Sequence, residues 1–533
     1  MAKTLSLTKF QRLLMVVFAI ILSLIVLELA NPLIHPPGRD GGAYMFGGRY
    51  VLHGKTLYSD YWEAKGPMIL WINAFGLLLG GDSRWGIWLV ETLFWVGSAL
   101  LGMAVIKKKS GFLPAVIGVT VMMMVGRCLV GSGNFTEEYS LLFTWIALFA
   151  FFQLLRNPTV KVYPVLLGAM PALNFFTRAN NIVTSGVLIL IWLFHALRTK
   201  KLKGALGDAA LITVGGLIIV VPVTIYFTVQ GTLVEMINAS IIYNFSYSFG
   251  TRPGASNLNI IASSLMPALS VLGAWMALPL IGYIVGLVQF IRELLDRRIE
   301  PVSLVLVTIW PLEMLASSIS GRNYGHYFLT WLPIMGLLSA VPIKAILNLI
   351  PDRFSPSRLP KWTPTLILSG VILLFSIIFH QELGIYGRSL AAVIGPHEGE
   401  VEYIHPVSAF ITQQTAPDDL VLVWGGQTGM LFMSERYSST AYNFYPLYAN
   451  SRIGREIQQR YFEDLQRNQP KLILDASIHA PDSLPSVDPA TRKTQRLIHP
   501  IAANVDQVLD YINANYTLIY DEDGYQVYQI LEP

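Results

Sequence analysis

Cysteine is all but missing from the 533 residues, with Cys128 the only one. A single thiol excludes an internal disulfide and a cysteine-ligated zinc site, and Cys128 reads as a small apolar residue of the core. Charge is scarce as well. Charged residues make up 14% of the chain against 53% hydrophobic ones, and mean hydropathy is +0.50, a balance that excludes an ordinary water-soluble globule. The net charge of +4 does not suggest nucleic acid, so any charge argument must rest on where the basic residues fall. Internal repeats and low-complexity tracts are also missing, which weakens the case for a transporter built from inverted halves.

What the sequence does have is apolar stretches of about 20 residues, the length that crosses a hydrocarbon core of about 30 Å as helix. Eleven such windows centre near 10–30, 85–106, 111–128, 138–155, 162–177, 181–197, 209–228, 262–290, 302–319, 327–349 and 363–383. The first follows Lys3, Lys9 and Arg12 and is longer than most signal-peptide cores, so it is expected to stay as a helix. Basic clusters lie at those three residues, at Lys107–Lys109, Arg156/Lys161, Arg198–Lys203, Arg292–Arg298 and Arg353–Lys361. Each follows an even number of windows. The positive-inside rule then places the N-terminus and these loops in the cytoplasm, and an odd count exports the tail.

The expected architecture is an α-helical polytopic membrane protein of about eleven spans over residues 1–383, with a small extracytoplasmic α/β domain over 384–533. The first outer loop, 31–84, contains Pro67–Gly80, apolar but short, which reads as an interfacial or re-entrant helix. In the tail, helical patterns (401–414, 454–466, 505–514) alternate with strand-like runs (420–424, 471–474, 517–520, 525–530), the last two joined by an Asp-Glu-Asp-Gly turn. The run Trp424–Gly429 lacks the spacing of a dinucleotide fingerprint.

Groups able to do chemistry concentrate on the outer side. Asp40 follows the first span between Arg39 and Gly41, where a carboxylate can act as general base on an acceptor hydroxyl or cap a helix. Glu63-Ala-Lys65-Gly-Pro67 sets an acid and a base before the short helix, and Lys65 suits either a phosphate or snorkelling. Arg178, Arg252, Arg322 and His326 lie at outer loop tips against the positive-inside bias; each alone reads as a loop residue or a structural ion pair, and it is their number that points to an anion at the interface. Glu137 and Glu138, in GSGNFTEEYS, offer one helix-capping carboxylate and one further acid, which could orient an acceptor or hold a divalent cation through oxygen. Glu28, Glu91 and Glu313 are expected to pair inside the bundle.

Taken together, Arg39-Asp40, the Gly54–Tyr58 and Asp60-Tyr-Trp stretch, Glu63–Pro67, Gly-Asn-Phe-Thr-Glu-Glu, and Gly321-Arg322 with His326-Tyr327 make the chain resemble the bacterial GT-C glycosyltransferases. That family includes protein O-mannosyltransferases and lipid A aminoarabinose transferases. The resemblance implies transfer of a sugar, with inversion, from a polyprenyl-phosphate donor to a lipid, glycan or protein acceptor at the outer face of the cytoplasmic membrane. It implies Asp40 as base, and Lys65 with Arg322 and Arg178 as the cations that bind the donor phosphate. The reading of the outer loops adds Glu63, Glu137 and Glu138 as candidate acids and Arg252 and His326 as candidate phosphate-binding residues. Asp40 is followed by glycine where the mannosyltransferases carry an Asp-Glu pair. Glu-Ala-Lys-Gly-Pro stands where the aminoarabinose transferases have Glu-Lys-Pro-Pro. A glycan ligase or polymerase using a polyprenyl diphosphate, or a lipid-linked glycan translocase, are the competing readings. A translocase would distribute ionisable groups along a path through the spans.

Overall fold

The computed structural model describes residues 8–199, 202–245, 265–266, 269–319, 324–349, 360–394, 402–442, 444–445, 452–479, 484–495, 497 and 504–531. By packing, the chain forms two units: Met1–Asn31, Leu89–Val223 and Ala255–Val401 make the first, and Pro32–Trp88, Thr224–Gly254 and Glu402–Pro533 the second.

Helices appear in the order α1 (Lys9–Val26), α2 (Arg39–Leu52), α3 (Pro67–Gly80), α4 (Arg84–Ser110), α5 (Phe112–Val130), α6 (Thr136–Arg156), α7 (Val162–Thr177), α8 (Val183–Thr199) and α9 (Leu202–Val229). There follow α10 (Leu233–Ile237), α11 (Ala277–Leu295), α12 (Pro301–Ser318), α13 (Leu332–Leu349), α14 (Thr363–Ile378) and α15 (His380–Ile394). Thr8 and Gln11 begin α1 with reciprocal side-chain to backbone bonds of 3.2 and 3.0 Å. Among the described residues, nine helices are long and apolar enough to cross a membrane, and the chain is a multi-pass membrane protein.

A helix stands at each of the eleven expected windows, but two depart from a straight span. With 16 residues, α7 is about 24 Å long at 1.5 Å per residue. The last window is a pair, α14 and α15, bent by 82°. The 14-residue α3 has the short form expected of an interfacial or re-entrant helix: Pro67 pre-sets its first turn, and Gly81 ends it in the left-handed conformation at φ +63°.

In the first unit, apolar burial cannot separate helix from lipid as it does from water, so close contact depends on small residues. A Cβ on Gly168 of α7 would overlap the Ile212 carbonyl of α9, and one on Gly282 of α11 the Leu338 carbonyl of α13. Cys128 departs from the expectation of a core residue: it is exposed on α5 rather than packed inside. On a spanning helix an exposed face meets hydrocarbon, where a thiol is as well placed as inside the bundle.

The tail holds α16 (Pro406–Gln414), β1 (Val421–Trp424), α17 (Gly429–Ser434), α18 (Arg452–Asn468), β2 (Leu472–Asp475), α19 (Pro489–Thr494), α20 (Val505–Asn515), β3 (Tyr516–Glu522) and β4 (Tyr525–Ile530). The sheet order is β1-β2-β4-β3, with β1 and β2 parallel and the other pairs antiparallel. The acidic turn makes a two-residue hairpin, Asp523 and Gly524 both at positive φ (51° and 77°), which matches the twist of the flanking strands. Trp424 is fully buried, donates to the Pro485 carbonyl at 2.8 Å and packs on Tyr445 and Tyr461. It is a core residue of the tail.

At the start of α16, His405 caps through Nδ1, which accepts from the Val407 amide at 3.3 Å and so must be unprotonated. Burial, and then the charge of His479 across the Tyr525 ring, push the His405 pKa below its ordinary value, against a smaller opposing pull from Asp523. The folded state therefore binds its proton less readily than the unfolded chain. This stability is present above the unfolded value of about 6.5 and is lost as pH falls from there toward the folded pKa. The thermal midpoint of the tail should drop on acidification through that window, and His405→Asn, an uncharged cap, should flatten that part of the profile in calorimetry.

Candidate active site

In the second unit, α2 begins at Arg39, so Asp40 lies in its first turn, half-buried, where the partly positive helix end favours a carboxylate. The helix packs closely on the loop and short helix that come after it in the chain. A Cβ on Gly47 would strike the Tyr61 ring and Leu70, and one on Gly48 would strike Asn73. Tyr61 donates to the Ala43 carbonyl of α2 at 2.7 Å. These contacts seat the loop carrying Glu63 and Lys65 against the helix carrying Asp40.

That loop is held from several sides. The Trp62 amide donates to the Ala441 carbonyl of the tail at 2.8 Å, and its indole lies against Tyr243, Tyr442 and Phe444. Asn244 donates to the Ala64 carbonyl, and the Tyr58 hydroxyl to that of Lys65 at 2.9 Å. Glu63 is buried and accepts from the Lys65 amide at 3.2 Å. Burial first, and the Glu63 charge second, push the Tyr58 hydroxyl pKa well up, so it stays protonated and donates. Lys65 itself is half-buried, and among the described residues its ammonium has no hydrogen-bond or ion-pair partner.

The first unit holds a different cluster. Glu137, almost fully buried, forms an ion pair with Arg178 and accepts from the Thr136 hydroxyl at 2.7 Å. The Arg178 guanidinium lies 4.0 Å over the Tyr327 ring. His326 stacks on Phe135 at 4.1 Å and meets Tyr327 edge-on at 4.8 Å. Glu138 caps α6, accepting from the Phe135 amide at 2.8 Å and from Trp95 at 2.8 Å, and its carboxyl meets that of Glu91. A small pocket of about 10 Å³ is lined by Glu137, Arg178, Asn181, Glu313, Tyr327 and Thr330 among others.

Of the acids and cations read from the sequence, the second unit thus contains Asp40, Glu63 and Lys65, and the first Glu137, Glu138, Arg178 and His326. Arg252 and Arg322 lie outside the described residues. Among those described, no group of three or more histidines, cysteines or carboxylates is placed to hold a metal ion. Glu313, expected only to pair within the bundle, accepts from the Thr184 amide (2.9 Å) and hydroxyl (2.6 Å) and also lines the pocket. Its signal was an acid in the middle of an apolar span. Tyr58 was missed outright, because nothing in its local pattern announces a hydroxyl aimed seven residues ahead.

The Arg178–Glu137 pair is 14% and 1% exposed at its side chains, so removing one partner strands a buried charge, at a cost of about 3–5 kcal/mol. Arg178→Ala should lower the unfolding temperature in detergent, and adding Glu137→Gln should restore much of the loss. Equal destabilisation in the single and double variants would contradict the pairing.

The fold itself has relatives among solved structures. ArnT from Cupriavidus metallidurans in the apo state matches at a TM-score of 0.57 and 14% identity, over 97% of each chain. The same protein bound to undecaprenyl phosphate matches at 0.58 and 13%, again over 97% of each. The oligosaccharyltransferase of Archaeoglobus fulgidus tethered with an acceptor peptide matches at 0.47 and 12%, over 98% of this chain and 74% of that one. None of the curated protein sequences matches. The fold is thus shared with ArnT over 97% of each chain. The family model for the Competence-induced protein Ccs4 N-terminal domain matches residues 1–382, and the chain belongs to that family.

Proposed function

We propose that this protein is a membrane glycosyltransferase that moves a sugar from a polyprenyl-phosphate donor to an acceptor at the outer face of the cytoplasmic membrane, with inversion. The observation that carries the reading is the fold shared over 97% of each chain with ArnT bound to undecaprenyl phosphate. Support within this chain comes from the second unit, where a carboxylate at a helix start and a half-buried lysine without a described partner belong to one packed body.

In the proposed reaction the Asp40 carboxylate takes the proton of an acceptor hydroxyl as its oxygen attacks the anomeric carbon. The bond from that carbon to the phosphate oxygen breaks, its electron pair leaving with polyprenyl phosphate. Positive charge builds on the sugar ring and negative charge on the phosphate. Lys65 serves the second of these, as a point charge that neutralises the leaving group. Arg178 already has the Glu137 carboxylate as its partner, so the phosphate is assigned first to Lys65. Arg252, Arg322 and His326 remain the further cations of the proposal. Glu63 orients the Lys65 turn through the backbone, and no step is routed through a divalent cation. The basic loops face the cytoplasm in this reading, and the tail and first loop face outward.

Asp40→Asn should lower transfer by about 10²–10⁴-fold while undecaprenyl phosphate binding is kept. Lys65→Met should weaken that binding and raise the donor KM. Full transfer by the Asp40 variant, measured as release of polyprenyl phosphate by the purified protein, would remove Asp40 from the mechanism.

A further inference from the structure

Tyr58, in the first outer loop, has a backbone conformation and a side chain that both need explaining. Its φ of +67° lies in the left-handed region, where a bulky aromatic residue is held at a cost and persists only if its surroundings over-determine it. They do. The Tyr58 amide donates to the Tyr61 carbonyl at 2.7 Å, Leu57 bridges Tyr61, and the ring, 4% exposed, packs edge-on against Phe227 at 5.5 Å. A glycine would take this conformation without strain, so the side chain must supply something a glycine cannot.

What it supplies is the hydroxyl bond to the Lys65 carbonyl, 2.9 Å long and seven residues away. The neighbouring acceptors of the turn are taken in the same way. Ala64 is held by Asn244, and the Glu63 carboxylate by the Lys65 amide. The backbone on which Lys65 stands is thereby fixed. Its ammonium, the one donor of that residue without a described partner, is presented rather than tied down.

We infer that Tyr58 is a positioning residue for Lys65: its strained backbone and its hydroxyl hold the lysine's carbonyl so that the ammonium meets an anionic lipid phosphate in a set geometry. The inference rests on the proposed reading of Lys65 as the phosphate-binding cation. Tyr58 touches no reacting atom and acts only through Lys65. The aromatic ring accounts for packing, and the hydroxyl accounts for function, so the two are separable by one oxygen atom.

The test is a double-mutant cycle on the full-length protein in detergent, with Tyr58→Phe, Lys65→Met and the two combined. Binding of undecaprenyl phosphate is measured directly and unfolding temperature in parallel. Tyr58→Phe keeps the ring and loses the hydroxyl, and should weaken binding by about three- to tenfold, the worth of one hydrogen bond, with little change in unfolding temperature. In the Lys65→Met background the same change should have no further effect on binding. Loss of binding in Lys65→Met with none in Tyr58→Phe would overturn the positioning role and leave the phosphate reading standing. Unchanged binding in Lys65→Met would sink the phosphate reading itself. An equal weakening by Tyr58→Phe in both backgrounds would mean that the tyrosine acts on the fold and not through the lysine.

Discussion

The second unit is organised around one buried cation. Arg84 is 2% exposed, and removing a guanidinium from water costs several kcal/mol unless its donors are met. Here they are. It donates to Glu402 at 2.9 Å, to the carbonyls of Pro32 and Tyr403 at 2.7 Å each, and to that of His35 at 2.9 Å. Glu402 also receives the Arg84 amide at 2.8 Å and the Ser83 hydroxyl. One side chain thus gathers the segment that follows α1 and the start of the tail, which are more than 300 residues apart in sequence.

Arg49 repeats the device a short way along. It is buried, pairs with Asp82 at 3.0 Å, donates to the Phe432 carbonyl at 2.6 Å and lies 3.8 Å over the Phe432 ring. Gly42 and Gly429 bring α2 and α17 into backbone contact beside it, with no room for a Cβ on Gly42. The tail is therefore part of the body that carries Asp40, Glu63 and Lys65. The bond from Trp62 to Ala441 extends that continuity to the turn before α3. A helix start and a loop, each weak alone as a platform for chemistry, become parts of one packed unit.

How much of this was legible depends on the range of the interactions. Spans, capped helix starts and the β3–β4 hairpin are local, so apolar length, the Asp-Glu-Asp-Gly turn and Pro67 revealed them. The α14–α15 bend was less visible, since its window carries enough apolar residues for a straight span, whereas the 16 residues of α7 match its window of 162–177. The cations expected on one side of the membrane were legible by residue type but not by role. Arg178 reads the same as Lys65 by sidedness, yet one has a carboxylate 41 residues away and the other has no described partner. Arg49 and Arg84 have partners as distant as Phe432 and Glu402, beyond any pattern in a window. Cys128 misled because a hydrophobicity argument built on water does not say which face of a spanning helix is the inside.

In the proposed reaction the membrane surface is the place of transfer and a lipid phosphate the leaving group. This reaction is most directly tested by incubating the purified wild-type protein with a panel of polyprenyl-phosphate sugars and cell-envelope acceptors, and following free polyprenyl phosphate. The expected result is acceptor-dependent release from at least one monophosphate-linked sugar, with the opposite anomeric configuration in the product. Turnover only of polyprenyl-diphosphate glycans, or movement of lipid-linked glycan across the bilayer with no bond broken, would contradict it.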